Sequence, residues 1–339
     1  VFYVPHFYAV VPLNQKLVIG FGSGSFWGLG TEWAPDSFSR YVATKNDLIN
    51  TDTMVTVSYQ LTDQLSLAAS VDNDYSKADE NKNLFQGGGA GTDGHLSLKA
   101  KDDAWGYRLA TMFKINDHHQ VGLMYRSAIH HNYIGKIYLD NLNNVNVLGG
   151  GALSYQTAFG GTSYETRATQ KLTLPQSIVM GYSFKPNQKW TFNFDLEWMN
   201  WSSTKESILN FPDASGLAAT VLNGSAITDN HWHSVFSESI GAEYKLNEKF
   251  RLRGGYYHHQ QVIPEGTFQS TIPDASSHGL GLGFGFDLTQ HLTFDIAYQA
   301  IFYQTRKINN NVGTLAGQDI SGRYYQFVNT EYATITYKF

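Results

Sequence analysis

A cysteine-free chain of 339 residues with net charge −5 and mean hydropathy −0.30 has no disulfide framework, no thiolate metal site and no electrostatic footprint for nucleic acid. No run of about 18 apolar residues occurs, so helical membrane spans are excluded. A lipid-embedded β-barrel stays open to such a sequence, because only every second strand residue meets lipid. The 21 Tyr, 21 Phe and 32 Gly suit all-β structure with an interfacial aromatic girdle.

Period-two alternation dominates the chain. Strands are predicted at 5–12 and 17–27, around the short polar turn Leu13-Asn14-Gln15-Lys16. The pair 53–62 and 66–77 flanks Thr62-Asp63-Gln64, and its apolar face is Thr53, Val55, Val57, Tyr59, Leu61. The pair 103–115 and 120–131 flanks Asn116-Asp117-His118-His119. The pair 171–185 and 190–201 flanks Pro186-Asn187-Gln188-Lys189. In the second of these Trp190, Phe192, Phe194, Leu196 and Trp198 share one face, and Thr191, Asn193, Asp195 and Glu197 the other. The pairs 231–246 with 250–260, and 277–288 with 292–303, flank Asn247-Glu248-Lys249 and Thr289-Gln290-His291. A last strand, 326–339, ends on Phe339.

Long connections near 28–52, 78–102, 132–170, 202–230, 261–276 and 304–325 separate these pairs. Short turns alternating with long loops is the plan of an outer-membrane barrel, with the short turns in the periplasm. The reading is therefore all-β: one transmembrane antiparallel β-barrel over residues 1–339. About thirteen strands are present, and the first and last run in the same direction. Bacterial barrels have even strand numbers, so fourteen strands are expected in the full protein, with one more before Val1.

Several stretches, in order, resemble the FadL family of outer-membrane long-chain fatty-acid transport proteins. They include Pro12-Leu13-Asn14, Gly20-Phe21-Gly22-Ser23-Gly24, Phe26-Trp27-Gly28-Leu29-Gly30-Thr31-Glu32-Trp33 and Tyr59-Gln60-Leu61-Thr62-Asp63. Further along stand Gly122-Leu123-Met124-Tyr125-Arg126-Ser127, Leu174-Pro175-Gln176, Trp198-Met199-Asn200-Trp201-Ser202, Leu252-Arg253-Gly254-Gly255-Tyr256 and Ile272-Pro273-Asp274. The resemblance implies a monomeric barrel plugged by an N-terminal hatch, which with the first strand would precede Val1. It implies passive uptake of long-chain fatty acids or other hydrophobic small molecules, with sideways release through the wall. Phe339 resembles the terminal signal read by the barrel assembly machinery. The surroundings implied are outer-membrane lipid and lipopolysaccharide.

Candidate site residues follow. Arg126 shares a face with Gly122, Met124 and Ala128, opposite Val121, Leu123, Tyr125, Ser127 and Ile129, so it is expected in the lumen. It can grip a carboxylate through two hydrogen bonds, or brace the barrel in an ion pair with Asp195, Glu197 or another carboxylate. Arg253 has the same two readings. Gly20, Gly22 and Gly24 suit either the kinked strand that opens a side exit in the family or a tight fit against a plug or loop. Phe26 and Trp27 line the path or belong to the outer aromatic girdle. His231 and His233 share a predicted strand face, but no third ligand can be named, so neither a metal nor a cofactor is assigned. No nucleophile elbow or phosphate loop occurs, and no enzyme activity is assigned. Two other readings stay open: a general or semi-specific porin, and a barrel enzyme or adhesin.

Overall fold

A computed structural model describes residues 3–88, 90–223, 227–313 and 319–339. Thirteen wall strands run antiparallel in sequence order and curl into a barrel. They are Phe7–Pro12, Leu17–Gly24, Lys45–Gln60, Leu65–Leu84 and Gly94–Lys114, then two interrupted strands, then Trp190–Met199, Val235–Lys245, Phe250–His259, Ser277–Asp287, Leu292–Tyr303 and Phe327–Tyr337. The interrupted strands are His119–Arg126 continued by Ile129–Asp140, and Tyr164–Leu174 continued by Ser177–Phe184. Among the described residues each end strand pairs with one neighbour only. Across the seam between them, His6 Nε2 and Thr334 Oγ1 stand 3.4 Å apart.

The six short turns all join consecutive antiparallel partners, so they lie at one end of the wall. They share one device. The side-chain oxygen of Asn14, Asn116, Asn187 or Asn247 accepts two backbone N–H bonds at 2.9–3.1 Å from the residues two and three ahead. The hydroxyls of Thr62 and Thr289 do the same at 3.0–3.2 Å. These side chains mimic a backbone turn, which is why the turns were legible as sequence.

Two expectations need correction. The connections 28–52 and 78–102 are partly strand: Lys45–Gln60, Leu65–Leu84 and Gly94–Lys114 run 16, 20 and 21 residues and carry the wall well past a bilayer. The inner face of these extensions mixes Asn46 and Glu80 with Leu48 and Leu98, so the apolar alternation that marked the strands fades there. The second correction is one of phase. The Gly94–Lys114 strand pairs Arg108 with Arg126 below the break, but Lys101 with Ile134 above it. The register has slipped by one residue, and a one-residue bulge sends every later side chain to the other face. Ser127 fills the break, its Oγ accepting from the Tyr107 amide at 2.9 Å. Ile129, expected toward lipid, is therefore buried inside with His131 and Tyr133. Pro175-Gln176 interrupts the next wall strand in the same way: Leu174 and Ser177 both point inward. The expected strand over 231–246 begins at Val235, and His231 precedes it at φ 47°, so His231 and His233 do not share a strand face.

Below these breaks the outward face is apolar, with Val55, Val57, Val71, Leu109, Leu123, Met180, Leu280 and Leu282 among its exposed side chains. Above them the interior is filled. Leu98, Ile137, Leu139 and Ala168 from the wall pack on the short helices Tyr155–Phe159 and Gly216–Asn223.

The turn geometry makes a prediction. Asn187→Ala removes two accepted backbone bonds, and each such bond contributes about 0.5–1.5 kcal/mol net. Urea unfolding of the barrel in detergent should show a loss near 1 kcal/mol, and Asn187→Asp should restore most of it. Equal stability of all three proteins would show that the turn oxygen contributes nothing.

Candidate ligand pocket

A cavity of about 410 Å³ opens in the upper lumen. Trp27, Trp201 and Trp232 form one wall, with ring centroids 5.6 Å and 5.3 Å apart in edge-to-face contacts. Val262, Ile263 and Ile272, from the connection after Phe250–His259, close another side. Asp274 fixes that connection by accepting the amides of Val262 and Ile263 at 2.6 and 2.8 Å. The lining contains no lysine or arginine, and its charged residues are Glu80 and Asp274, with His259 beside them.

Phe26 lines the same cavity and separates it from a buried charge network. Its ring lies 4.9 Å from the Arg108 guanidinium carbon and 4.8 Å from that of Arg126, within cation–π range. Arg126 also stands 5.3 Å from the Trp27 ring. Beneath Phe26, Arg108 donates to Asp72 at 2.7 Å and to Asp52, and Arg126 donates to the same Asp52 oxygen at 3.2 Å. Asp52, Asp72 and Asp74 have no exposed surface. Asn50 joins the network to the pocket. Its Nδ2 donates to Asp74 at 2.5 Å, while its Oδ1 accepts from Ser25 Oγ at 2.9 Å and from the Trp27 amide at 3.0 Å. His131 stands between Asp74 at 3.3 Å and Asp102 at 3.2 Å.

The structure thus brings Phe26, Trp27 and Arg126 together. Arg126 faces the lumen, but its carboxylate partner is Asp52, from a distant wall strand, rather than Asp195 or Glu197. Asp195 instead accepts from Ser239 at 3.3 Å. Arg253 is elsewhere, near the short-turn end, held by Glu243 at 2.8 Å and Asp295 at 2.6 Å, with Arg251 on Asp287 close by. Gly20 and Gly22 sit on a ladder that keeps one register on both sides, from Val18 to Ser23 against Phe7–Pro12 and from Leu17 to Gly24 against Lys45–Gln60, so the strand is not broken at these two glycines, and Gly24 pairs on the second side. Gly22 is crowded by side chains of the two adjacent wall strands: a Cβ there would fall 2.9 Å from Tyr8 Cδ1 and 3.1 Å from Met54 Cγ. Sequence reasoning missed Trp232, Asn50 and Asp52. Alternation placed 53–62 as the strand, which left Asn50 and Asp52 in an assumed loop.

The family model described as "Outer membrane protein transport protein (OMPP1/FadL/TodX)" matches residues 2–339. The putative outer membrane protein NMB0088 of Neisseria meningitidis is 25% identical over 73% of this chain and 53% of its own length. The long-chain fatty acid transport protein of Escherichia coli O6:H1 is 22% identical over 93% of this chain and 72% of its own. The chain therefore spans only about half the length of the Neisseria relative. Among solved structures, a Pseudomonas aeruginosa FadL homologue superposes with a TM-score of 0.79 at 18% identity, covering 98% of this chain and 76% of the homologue. The Pseudomonas putida toluene transporter TodX gives 0.68 at 21% identity, covering 90% and 78%. With a whole-chain family match and the same barrel fold, this chain belongs to the OMPP1/FadL/TodX family of outer-membrane transport proteins.

Proposed function

We propose that this barrel is a passive channel for hydrophobic small molecules, and that the Trp27–Trp201–Trp232 pocket holds an uncharged one in preference to a fatty carboxylate. The observation that carries this is the lining: aromatic and aliphatic, with carboxylates and no lysine or arginine. Each buried methylene of a ligand contributes about 0.8 kcal/mol, whereas a carboxylate would sit beside Glu80 and Asp274, whose neighbouring cations Lys82 and Arg306 already offset them. The names of relatives point to both ligand classes: long-chain fatty acids for one, toluene for another. A carboxylate reaches Arg126 only if Phe26 leaves its place over the guanidiniums. In this reading Arg126 and Arg253 brace the lumen, and the buried network beneath Phe26 opposes the open aqueous path of a porin. Ser237 and His259 lie 2.6 Å apart, but they are direct cross-strand partners, and such pairs meet as a matter of register. The proposal is transport without enzyme chemistry. The working unit is one chain, with Phe339 available to the assembly machinery and the wall set in outer-membrane lipid and lipopolysaccharide. A fourteenth strand bonded to both seam edges would satisfy backbone groups that hydrocarbon cannot.

Two measurements test the ligand assignment. Binding of toluene or an alkane should exceed that of a fatty carboxylate of equal apolar area. Trp201→Ala should weaken the neutral ligand by about 2 kcal/mol, roughly thirtyfold. Tighter binding of the carboxylate, or no effect of Trp201→Ala, would overturn the assignment.

Arg126→Ala leaves a buried carboxylate short of a partner, a change that costs about 3–5 kcal/mol of stability. Chemical unfolding should show that loss while neutral-ligand affinity stays within about threefold, roughly 0.7 kcal/mol. A selective collapse of carboxylate binding at normal stability would instead make Arg126 the ligand anchor.

For the exit, we place the ligand's way out along the inner face of Gly20, Gly22 and Gly24. A Cβ at Gly20 meets nothing closer than 3.7 Å, so Gly20→Ala fits. It should slow uptake into liposomes while leaving equilibrium binding unchanged. Unaltered uptake would move the exit elsewhere.

A further inference from the structure

Outside the lumen, the extended strands carry a feature that the transport reading does not use. Above the bulge the outward side chains of four adjacent strands form a basic field. Lys77 lies directly opposite Lys101, Lys99 opposite Lys136, and Lys136 opposite Arg167. Lys171 follows Arg167 on the same face, two turns of the pleat toward the membrane. All six are exposed, while the alternate residues Leu98, Ile137 and Ala168 are buried inside, which fixes the direction of the basic ones.

Like charges directly opposite one another destabilise a sheet, so this row needs a compensating anion. The neighbouring carboxylates supply little. Asp79 is held by Lys45 at 3.0 Å, and Glu165 is engaged by Lys136 alone. Among the described residues no carboxylate oxygen lies within 4.0 Å of Lys77, Lys99, Lys101, Arg167 or Lys171. An open groove runs beside the row, between Ile134, Lys136, Tyr164 and Arg167, with Glu165 and Asp213 also in its lining.

The height of the field identifies the occupant. On the Gly94–Lys114 strand the outward face reads Phe113, Leu109, Tyr107 and Trp105, and Trp105 is 67% exposed. From Phe113 to Trp105 is about 27 Å along the strand, or about 20 Å of height at a tilt near 40°, close to the apolar band of such barrels. Lys101 stands four residues further, about 10 Å above Trp105 by the same geometry. That is headgroup level in the outer leaflet.

We propose that Lys77, Lys99, Lys101, Lys136, Arg167 and Lys171 form a binding site for the phosphate groups of a phosphorylated glycolipid of the outer leaflet. The proposal goes beyond general lipid contact, and it depends on the barrel's membrane placement rather than on the ligand pocket. Arginine and lysine at this depth attract anionic headgroups strongly, and the row spaces its charges to serve more than one phosphate.

The test uses the purified barrel in neutral detergent, with bis-phosphorylated lipid A as the probe. Lys99→Gln/Lys101→Gln/Arg167→Gln should bind the probe at least about tenfold more weakly than the parent. The phosphorylated lipid should raise the parent's melting temperature and leave that of the variant nearly unmoved. Lipid A stripped of its phosphates, and inorganic phosphate alone, should raise neither. In detergent without lipid, the variant should melt no lower than the parent, since it loses like-charge pairs. Lys99→Arg/Lys101→Arg should keep the binding. The proposal fails if the triple variant binds lipid A as the parent does, or if the dephosphorylated lipid binds the parent equally well. Should the triple variant not fold, Lys101→Gln alone and the dephosphorylated lipid decide the matter by the same criteria.

Discussion

Asp52 has no exposed surface, yet it accepts from both Arg108 and Arg126. Removing a carboxylate from water costs several kcal/mol unless opposite charge and hydrogen bonds replace the solvent. Here the replacement comes from three separate wall strands, so the charges can be buried only when those strands are in their final register. The interaction therefore ties the lower, lipid-facing part of the wall to the upper part, at the level where the bulge changes its phase. It also sets a floor. Phe26 rests on the two guanidiniums, and Asn50 holds the Trp27 amide in place. An apolar pocket can stand directly above a field of buried charge because one aromatic ring, apolar above and π-rich toward the cations, lies between them.

This division of the lumen explains why glycine is concentrated where it is. The Leu17–Gly24 strand turns Ile19 and Phe21 outward to lipid and places Gly20, Gly22 and Gly24 on the inner face. Tyr8 from the neighbouring strand fills the space over Gly22. The wall beside the floor is thus lined by one movable side chain over bare backbone. The ladder itself stays regular, so a passage here depends on side-chain movement and not on a break in hydrogen bonding.

Much of this fold was legible in the sequence because the bilayer enforces alternation. Where one face meets lipid and the other a polar lumen, strands such as 190–201 declare themselves. The six turns do so equally, because Asn14, Asn116, Asn187, Asn247, Thr62 and Thr289 each carry the oxygen their turn requires. The same rule explains the misses. Above the membrane, Asn46 and Glu80 face inward while Asp79 and Lys99 face water, so the strand segments inside 28–52 and 78–102 read as loop. The bulge at Ser127 was invisible because it depends on where the partner strand changes register, and continuing the phase through it put Ile129 on the wrong side. Of the site, Phe26, Trp27 and Arg126 were found from their stretches of sequence. Their partners Asn50, Asp52 and Trp232 come from segments where no local pattern marks the contact.

The bulge has a consequence on each side of the wall. By shifting the phase by one residue it brings Ile129, His131 and Tyr133 inward, extending the packed interior above the charge network. The same shift sends His130, Asn132, Lys136 and Tyr138 outward. Without it, Lys136 would point into the apolar interior now occupied by Ile137, and no packing there could hold an unpaired ammonium. The position of the break is therefore constrained from both directions. It must lie above the last residue that needs lipid on its outer side and below the first lysine that needs water. Ser127, whose hydroxyl and amide both bond to the Tyr107 backbone, is where the chain meets both conditions without leaving the Tyr107 groups unpaired.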